Sequence, residues 1–238
     1  MTLKIVFIVL YFLAFQTKSL AEDSMASTQS EKAYLLYKSG YFDAAFQGFK
    51  KAAERGEPSA FPMLGHMYGK GEGVRKNSTE SVRWYRISAE HGNPISQLRL
   101  GLRYSSGEGV QRNEQAAVKW YRRAADQGLA DAQAMLGNKY SDGVGVLKDN
   151  REALKWYLLA AEQGNAFAQH QLGFMIAVGQ GVQGDLIRGH MWLNIAASLG
   201  DSDAANSRDT IEEDISPARL AEAQKLARRC VARNYKGC

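Results

Sequence analysis

The middle of this chain contains no cysteine. The only two, Cys230 and Cys238, stand near the C-terminal end with seven residues between them. Their position excludes a cysteine-stapled repeat and a Cys-x-x-Cys redox or zinc motif in the body of the protein. Other signatures of chemistry are missing as well: there is no Gly-x-Ser-x-Gly and no His-Glu-x-x-His. Glycine pairs such as Gly107-Glu108-Gly109 lack the Gly-Lys-Ser/Thr ending and follow no strand, so they are not phosphate loops. Glu72 and Glu108 could be read as paired catalytic acids, but Val144 and Gln180 replace them in register, which fits solvated turn residues better. His66, His91, His170 and His190 occupy different positions and form no spaced pair with a carboxylate. No catalytic residue, cofactor or metal is expected.

Charge of one sign is also scarce. The formal net charge is +5, of which Lys4 and Lys18 supply two, and the remainder is spread without a block. That is no footprint for nucleic acid. Long apolar runs are limited to Ile5–Phe15, which follows a short charged start and precedes Ser19-Leu20-Ala21. This is the pattern of a secretory signal peptide over residues 1–21. The alternative is a membrane anchor, but the run is too short for the roughly 20 residues that a bilayer needs. No stable membrane insertion is expected after cleavage, and the location is periplasmic or secreted. An oxidising compartment favours an intramolecular Cys230–Cys238 disulfide that pins the tail; two free thiols or a bridge to another chain are the alternatives.

What is abundant is repetition. Gly65, Gly101, Gly137 and Gly173 recur at a spacing of 36, as do Trp84, Trp120, Trp156 and Trp192. A fixed period of this size means a stacked array of helical hairpins. The pattern divides into a polar leader at 22–30, an N-terminal capping helix pair at 31–59, four units over 60–203, and C-terminal capping helices at 204–238. In each unit a first helix carries a small residue, Leu-Gly and a large residue, as in Ala132, Leu136-Gly137 and Tyr140. Positions i, i+4 and i+8 share one face, so this is the packed stripe. A helical glycine costs about 1 kcal/mol against Ala, and its recurrence points to close approach of the second helix. The second helices open at Asn77, Asn113, Asp149 and Asp185, all good N-caps, with Glu80 and Glu152 placed to complete capping boxes. One Trp per unit beside small residues reads as core rather than as an aromatic ligand cage.

The motif Ala-Gln-x-x-Leu-Gly-x-x-Tyr-x-x-Gly-x-Gly-Val, followed by Trp-Tyr-x-x-Ala-Ala-x-Gln-Gly, resembles the Sel-one-like repeat family, longer relatives of the tetratricopeptide repeats. Ala132–Gly164 carries nearly every position of it, and the resemblance covers about residues 31–203. It implies an all-α fold, a right-handed α-α superhelix or solenoid of helix-turn-helix repeats, and a scaffold or adaptor role in signalling, envelope regulation or host interaction. Ile176 and Leu193 depart from the usual Tyr, so a looser or differently capped fourth unit is expected. A cysteine-rich subgroup has been linked to penicillin binding; without repeat cysteines that activity is not carried over.

In such an array the first helices line a concave groove. Positions outside the packed stripe vary between units and are free for recognition: His66 and Lys70, Leu98 and Leu102, Asn138 and Asp142, His170 and Phe174. A protein or peptide partner along this groove is the expected function. A hydrolase acting on a β-lactam or cell-wall substrate is the alternative, and a regulatory subunit covering a sensor's exported domain is a third.

Overall fold

The computed structural model describes residues 28–238; the signal peptide read at 1–21 and most of the leader lie outside them. The described chain forms two bodies, one ending at Asn77 and the other running from Ser78 to Cys238. Among the described residues every regular element is helical.

The first body holds α1 (Gln29–Lys38), α2 (Phe42–Glu54) and α3 (Ala60–Lys70). The first helix starts two residues earlier than the expected start at 31, because of a capping box: Thr28 accepts from the Glu31 amide, and the Glu31 carboxylate accepts from the Thr28 amide at 2.8 Å. Gly48 lets α2 close on α1, because a Cβ there would stand 2.8 Å from that of Ala33. Phe49 fills the interior, and Phe46 meets Tyr68 edge-on with centroids 5.2 Å apart.

The second body is built from helix pairs: α4 (Ser78–Glu90), α5 (Pro94–Ser106), α6 (Glu114–Asp126), α7 (Ala130–Asp142), α8 (Asn150–Ala161), α9 (Ala166–Val178) and α10 (Leu186–Ser198). First helices begin two residues earlier than the small packed residue suggested, because Asn93 and Asn165 cap the amides of Ser96 and Ala168. Second helices open under Asn113, Asp149 and Asp185, each accepting from amides of the first turn. The expected capping box at Glu152 is only half made: its amide donates to Asp149, while its carboxylate turns to Lys155 at 3.3 Å.

One pair of contacts sets the packing. A Cβ at Gly101 would lie 2.6 Å from the Tyr121 ring, and one at Gly137 would lie 2.7 Å from the Tyr157 ring. The glycine therefore makes room for the tyrosine of its partner helix. In the last unit Leu193 replaces that tyrosine, and Gly173 faces the Gly189 carbonyl and the Leu193 amide, each 2.9 Å from its would-be Cβ. Of the two expected alternatives, a looser or a differently capped fourth unit, the first is corrected: without the ring, the backbones come closer. His190, Met191, Trp192 and Leu193 are all buried there.

Units join through the connector. Its second glycine sits on the start of the preceding second helix, so that a Cβ at Gly109 would stand 2.2 Å from the Ser78 carbonyl oxygen and one at Gly145 would stand 2.5 Å from that of Glu114. Val110 and Val146 pack on the core, but Val182 is exposed and does not plug its loop.

The tryptophans are not equivalent. Trp156 and Trp192 are buried; Trp84 and Trp120 are only partly buried, whereas the neighbouring Tyr85 and Tyr121 are buried. The two buried tryptophans share their cluster with the end of the chain. After α11 (Ser202–Glu212), α12 (Pro217–Ala232) packs on α10 and adds Ala227 and Cys230 to the cluster holding Trp156 and Trp192. Cys230 and Cys238 are joined in a disulfide. The tail it closes lays Tyr235 against Gly164 and brings the Gly237 amide to the Glu162 carboxylate at 3.1 Å.

Candidate functional site

Successive first helices of the second body place their non-core residues on one face. A hollow of about 300 Å³ opens there between α5, α7 and α9, bordered by Leu98, Arg99, Leu102, Asp131, Ala134, Met135, Asn165 and Phe167. Three repeats contribute to it, so the stacking itself creates the site. Leu98, an expected groove residue, lines the hollow with 9% of its surface exposed while also belonging to the core, as does Ala134. A first helix has neighbours on both sides, and its buried arc is wider than a single stripe. Leu102 and Met135 are partly buried, and Phe167 is 36% exposed. Phe174 and Val178 extend the apolar strip along α9, at 42% and 53% exposed.

The polar residues of this face are mostly engaged. Asn138 accepts from the Tyr157 hydroxyl at 2.6 Å, so it anchors the tyrosine that Gly137 admits. Burial raises the Tyr157 and Tyr121 phenols, the latter to about 12, so both stay neutral. Glu114, the first residue of α6, accepts from Lys139 at 2.8 Å, Ser105 at 2.9 Å and Arg112 at 2.7 Å. Desolvation pushes its carboxyl up, but these donors outweigh it and hold the group at about 2. The network ties α5, α6 and α7 together. Arg103 pairs with Glu108, which also accepts from Ser78 at 3.0 Å, so Glu108 is a connector tie and not simply a solvated turn residue. Asp142 is exposed. His66 and Lys70 belong to the first body; His66 lies 3.4 Å from Glu72, which also accepts from the Tyr37 hydroxyl, and Lys70 is exposed.

The histidines overturn another expectation. Besides His66, His190 faces Glu212 at 2.8 Å and His170 stands 3.6 Å from Asp201. These partners are 22 and 31 residues apart in sequence, and only the return of α11 across α9 and α10 brings them together. His170 Nε2 also meets the Ser207 hydroxyl at 3.3 Å. Serine, histidine and aspartate thus stand in series, yet the Asp201 carboxylate is already 2.9 Å from the Ala204 amide that it caps. The constellation fastens α11 to α9. Among the described residues, no group of three His, Cys, Asp or Glu side chains is placed to hold a metal ion, and no helix is long and apolar enough to cross a membrane.

A buried ladder was also missed. Gln97, Gln133 and Gln169 donate to the carbonyls of Ala89, Ala125 and Ala161 at 3.1, 3.2 and 3.1 Å. Their 36-residue spacing was the available signal. They fix the phase of each first helix against the second helix before it, and so fix which residues reach the hollow.

Four stretches, residues 63–93, 94–129, 130–165 and 166–201, match the family model described as Sel1 repeat. The crystal structure of a Sel1 repeat protein from Oxalobacter formigenes is 31% identical, with a TM-score of 0.71 over 82% of this chain and 84% of that one. A protective antigen present in uropathogenic Escherichia coli strains, c5321, displaying an SLR fold, is likewise 31% identical, with a TM-score of 0.76 over 94% of this chain. The match spans 52% of that antigen, about half its length. No curated protein matches the sequence.

Proposed function

This chain belongs to the Sel1 repeat family, an all-α repeat superhelix that generally serves as a scaffold for protein–protein interaction, and from that premise we propose that it is an exported adaptor holding a protein or peptide along the face of its first helices. The observation that carries the reading is the apolar hollow spanning three repeats, continued by exposed Phe174 and Val178. Apolar side chains that a scaffold does not need for its own core, gathered on one face, mark an interaction surface. Export rests on the N-terminal sequence pattern, and with it a role in the cell envelope or outside the cell. The test is in-cell photocrosslinking from positions 102 and 174, with position 122 on a second helix as control. A partner captured from the first two and not from the third supports the reading; equal capture at all three, or none, overturns it. N-terminal sequencing of the mature protein checks cleavage after Ala21.

A second reading, hydrolysis of an ester or β-lactam, draws on Ser207, whose hydroxyl lies 3.3 Å from His170. It requires labelling of Ser207 by a fluorophosphonate probe, lost in His170→Ala. Absence of labelling removes it.

A further inference from the structure

The groove can be assigned a partner chemistry, an assignment that rests on the adaptor reading. At about 300 Å³ the hollow stands at the low end of the ~300–1,000 Å³ typical of small-molecule sites, room for one bulky side chain. Its rim carries two charges that differ in their commitments. Asp131 accepts from the Asn165 side chain at 2.9 Å. Arg99 is exposed, and among the described residues its guanidinium has neither a hydrogen bond nor an ion pair. The other cations of the same helices are taken: Arg103 by Glu108 and Lys139 by Glu114. Arg99 therefore stands as the uncommitted cation beside the apolar hollow.

We propose that the groove recognises an extended segment of a partner protein in which a bulky apolar side chain lies within two residues of an Asp or Glu carboxylate. The apolar side chain enters between Leu102, Met135 and Phe167. The carboxylate meets the Arg99 fork, whose planar donors suit bidentate pairing. In an extended chain, residues two apart point the same way and lie roughly 7 Å from each other, within the reach of an arginine at the rim. The apolar strip runs on through Phe174 and Val178, so the face does not end at the hollow and an internal carboxylate fits better than a chain terminus.

The test is selection of a phage-displayed random nonapeptide library on the purified protein, on Arg99→Glu and on Leu102→Asp, with circular dichroism to verify that each variant is folded. The expected result is enrichment of apolar–acidic pairs on the parent protein. A selected peptide should bind roughly tenfold more weakly to Arg99→Glu, the scale of one charge-assisted hydrogen bond, and Arg99→Glu should itself select Lys or Arg beside the apolar residue. Peptides that need Leu102 but show no preference for an acid would overturn this inference and leave the groove reading standing. A preference for a C-terminal carboxylate would overturn it in the same way. Failure of any peptide to be enriched would overturn both. Should Leu102→Asp not fold, Met135→Asp serves in its place.

Discussion

The side-chain amide of Gln163 donates to Oε1 of Gln133, 30 residues earlier, at 2.8 Å. The same bond joins Gln127 to Gln97 at 2.7 Å, one period upstream. Each inner glutamine thus holds a carbonyl of the preceding second helix and is held by the end of the following one. The third rung is open. Gln169 is fully buried and its Oε1 has no partner among the described residues, because Leu199 stands where Gln127 and Gln163 stand in the earlier units. Leu199→Gln should complete the rung and raise stability by about 0.5–1.5 kcal/mol, the usual net worth of such a bond. Urea unfolding of the two proteins measures it; no change, or a loss, would mean that residue 199 does not reach Gln169.

Gly137 separates local propensity from tertiary packing. Exchange of a helical glycine for alanine gains about 1 kcal/mol in an isolated helix. Here the added methyl would strike the Tyr157 ring at 2.7 Å, and overpacking of this kind costs about 1–3 kcal/mol. Gly137→Ala should therefore destabilise the protein, while Gly137→Ala combined with Tyr157→Leu, which copies the Gly173 and Leu193 unit in outline, should recover part of the loss. Thermal denaturation of the single and double variants gives the answer.

The tyrosines outrank the tryptophans in the early units. Tyr121 is 1% exposed and lies over Gly101, whereas Trp120 is partly open with Arg123 above it at 4.6 Å. Tyr121→Ala should cost about 3–5 kcal/mol, as for other buried aromatic truncations, and Trp120→Ala clearly less. Chemical denaturation that ranks them in the opposite order would refute this assignment.

Acid should loosen the tie between α5, α6 and α7. The Glu114 carboxyl is held at about 2 in the folded protein against 4.5 for a free glutamate. A depressed value means that the unfolded chain binds the proton first as pH falls. The contribution of Glu114 is complete above about pH 5 and fades between there and pH 2. The stability difference between the parent protein and Glu114→Gln should accordingly be largest near neutrality and shrink toward about pH 3. A difference that stays constant over this range would show that Glu114 does not titrate in the way its contacts require.

Much of this arrangement could be read before any coordinates. The period, the packed Leu-Gly stripe and the caps at Asn113, Asp149 and Asp185 are local chemistry repeated in one chain, so the units check one another. What escaped reading depends on neighbours that sequence does not place. Leu98 lines the hollow as its column implies, but that it is also part of the core depends on the neighbouring repeats. His170 and His190 looked unpaired because α11 brings Asp201 and Glu212 back to them. The tryptophans looked alike because nothing in their own units separates the buried Trp156 and Trp192 from the partly buried Trp84 and Trp120. Arg99 was passed over because a lone surface arginine carries no signal until the cations around it are seen to be engaged.

The seat of each connector glycine has a further consequence. Gly109 packs on the main chain of Ser78 and Gly145 on that of Glu114, so one joint is made over two different residues. A gene that lost or duplicated one whole period would rejoin at a junction of the same geometry. Array length is thereby a heritable variable separate from folding, and selection can lengthen or shorten the binding face without inventing a new joint.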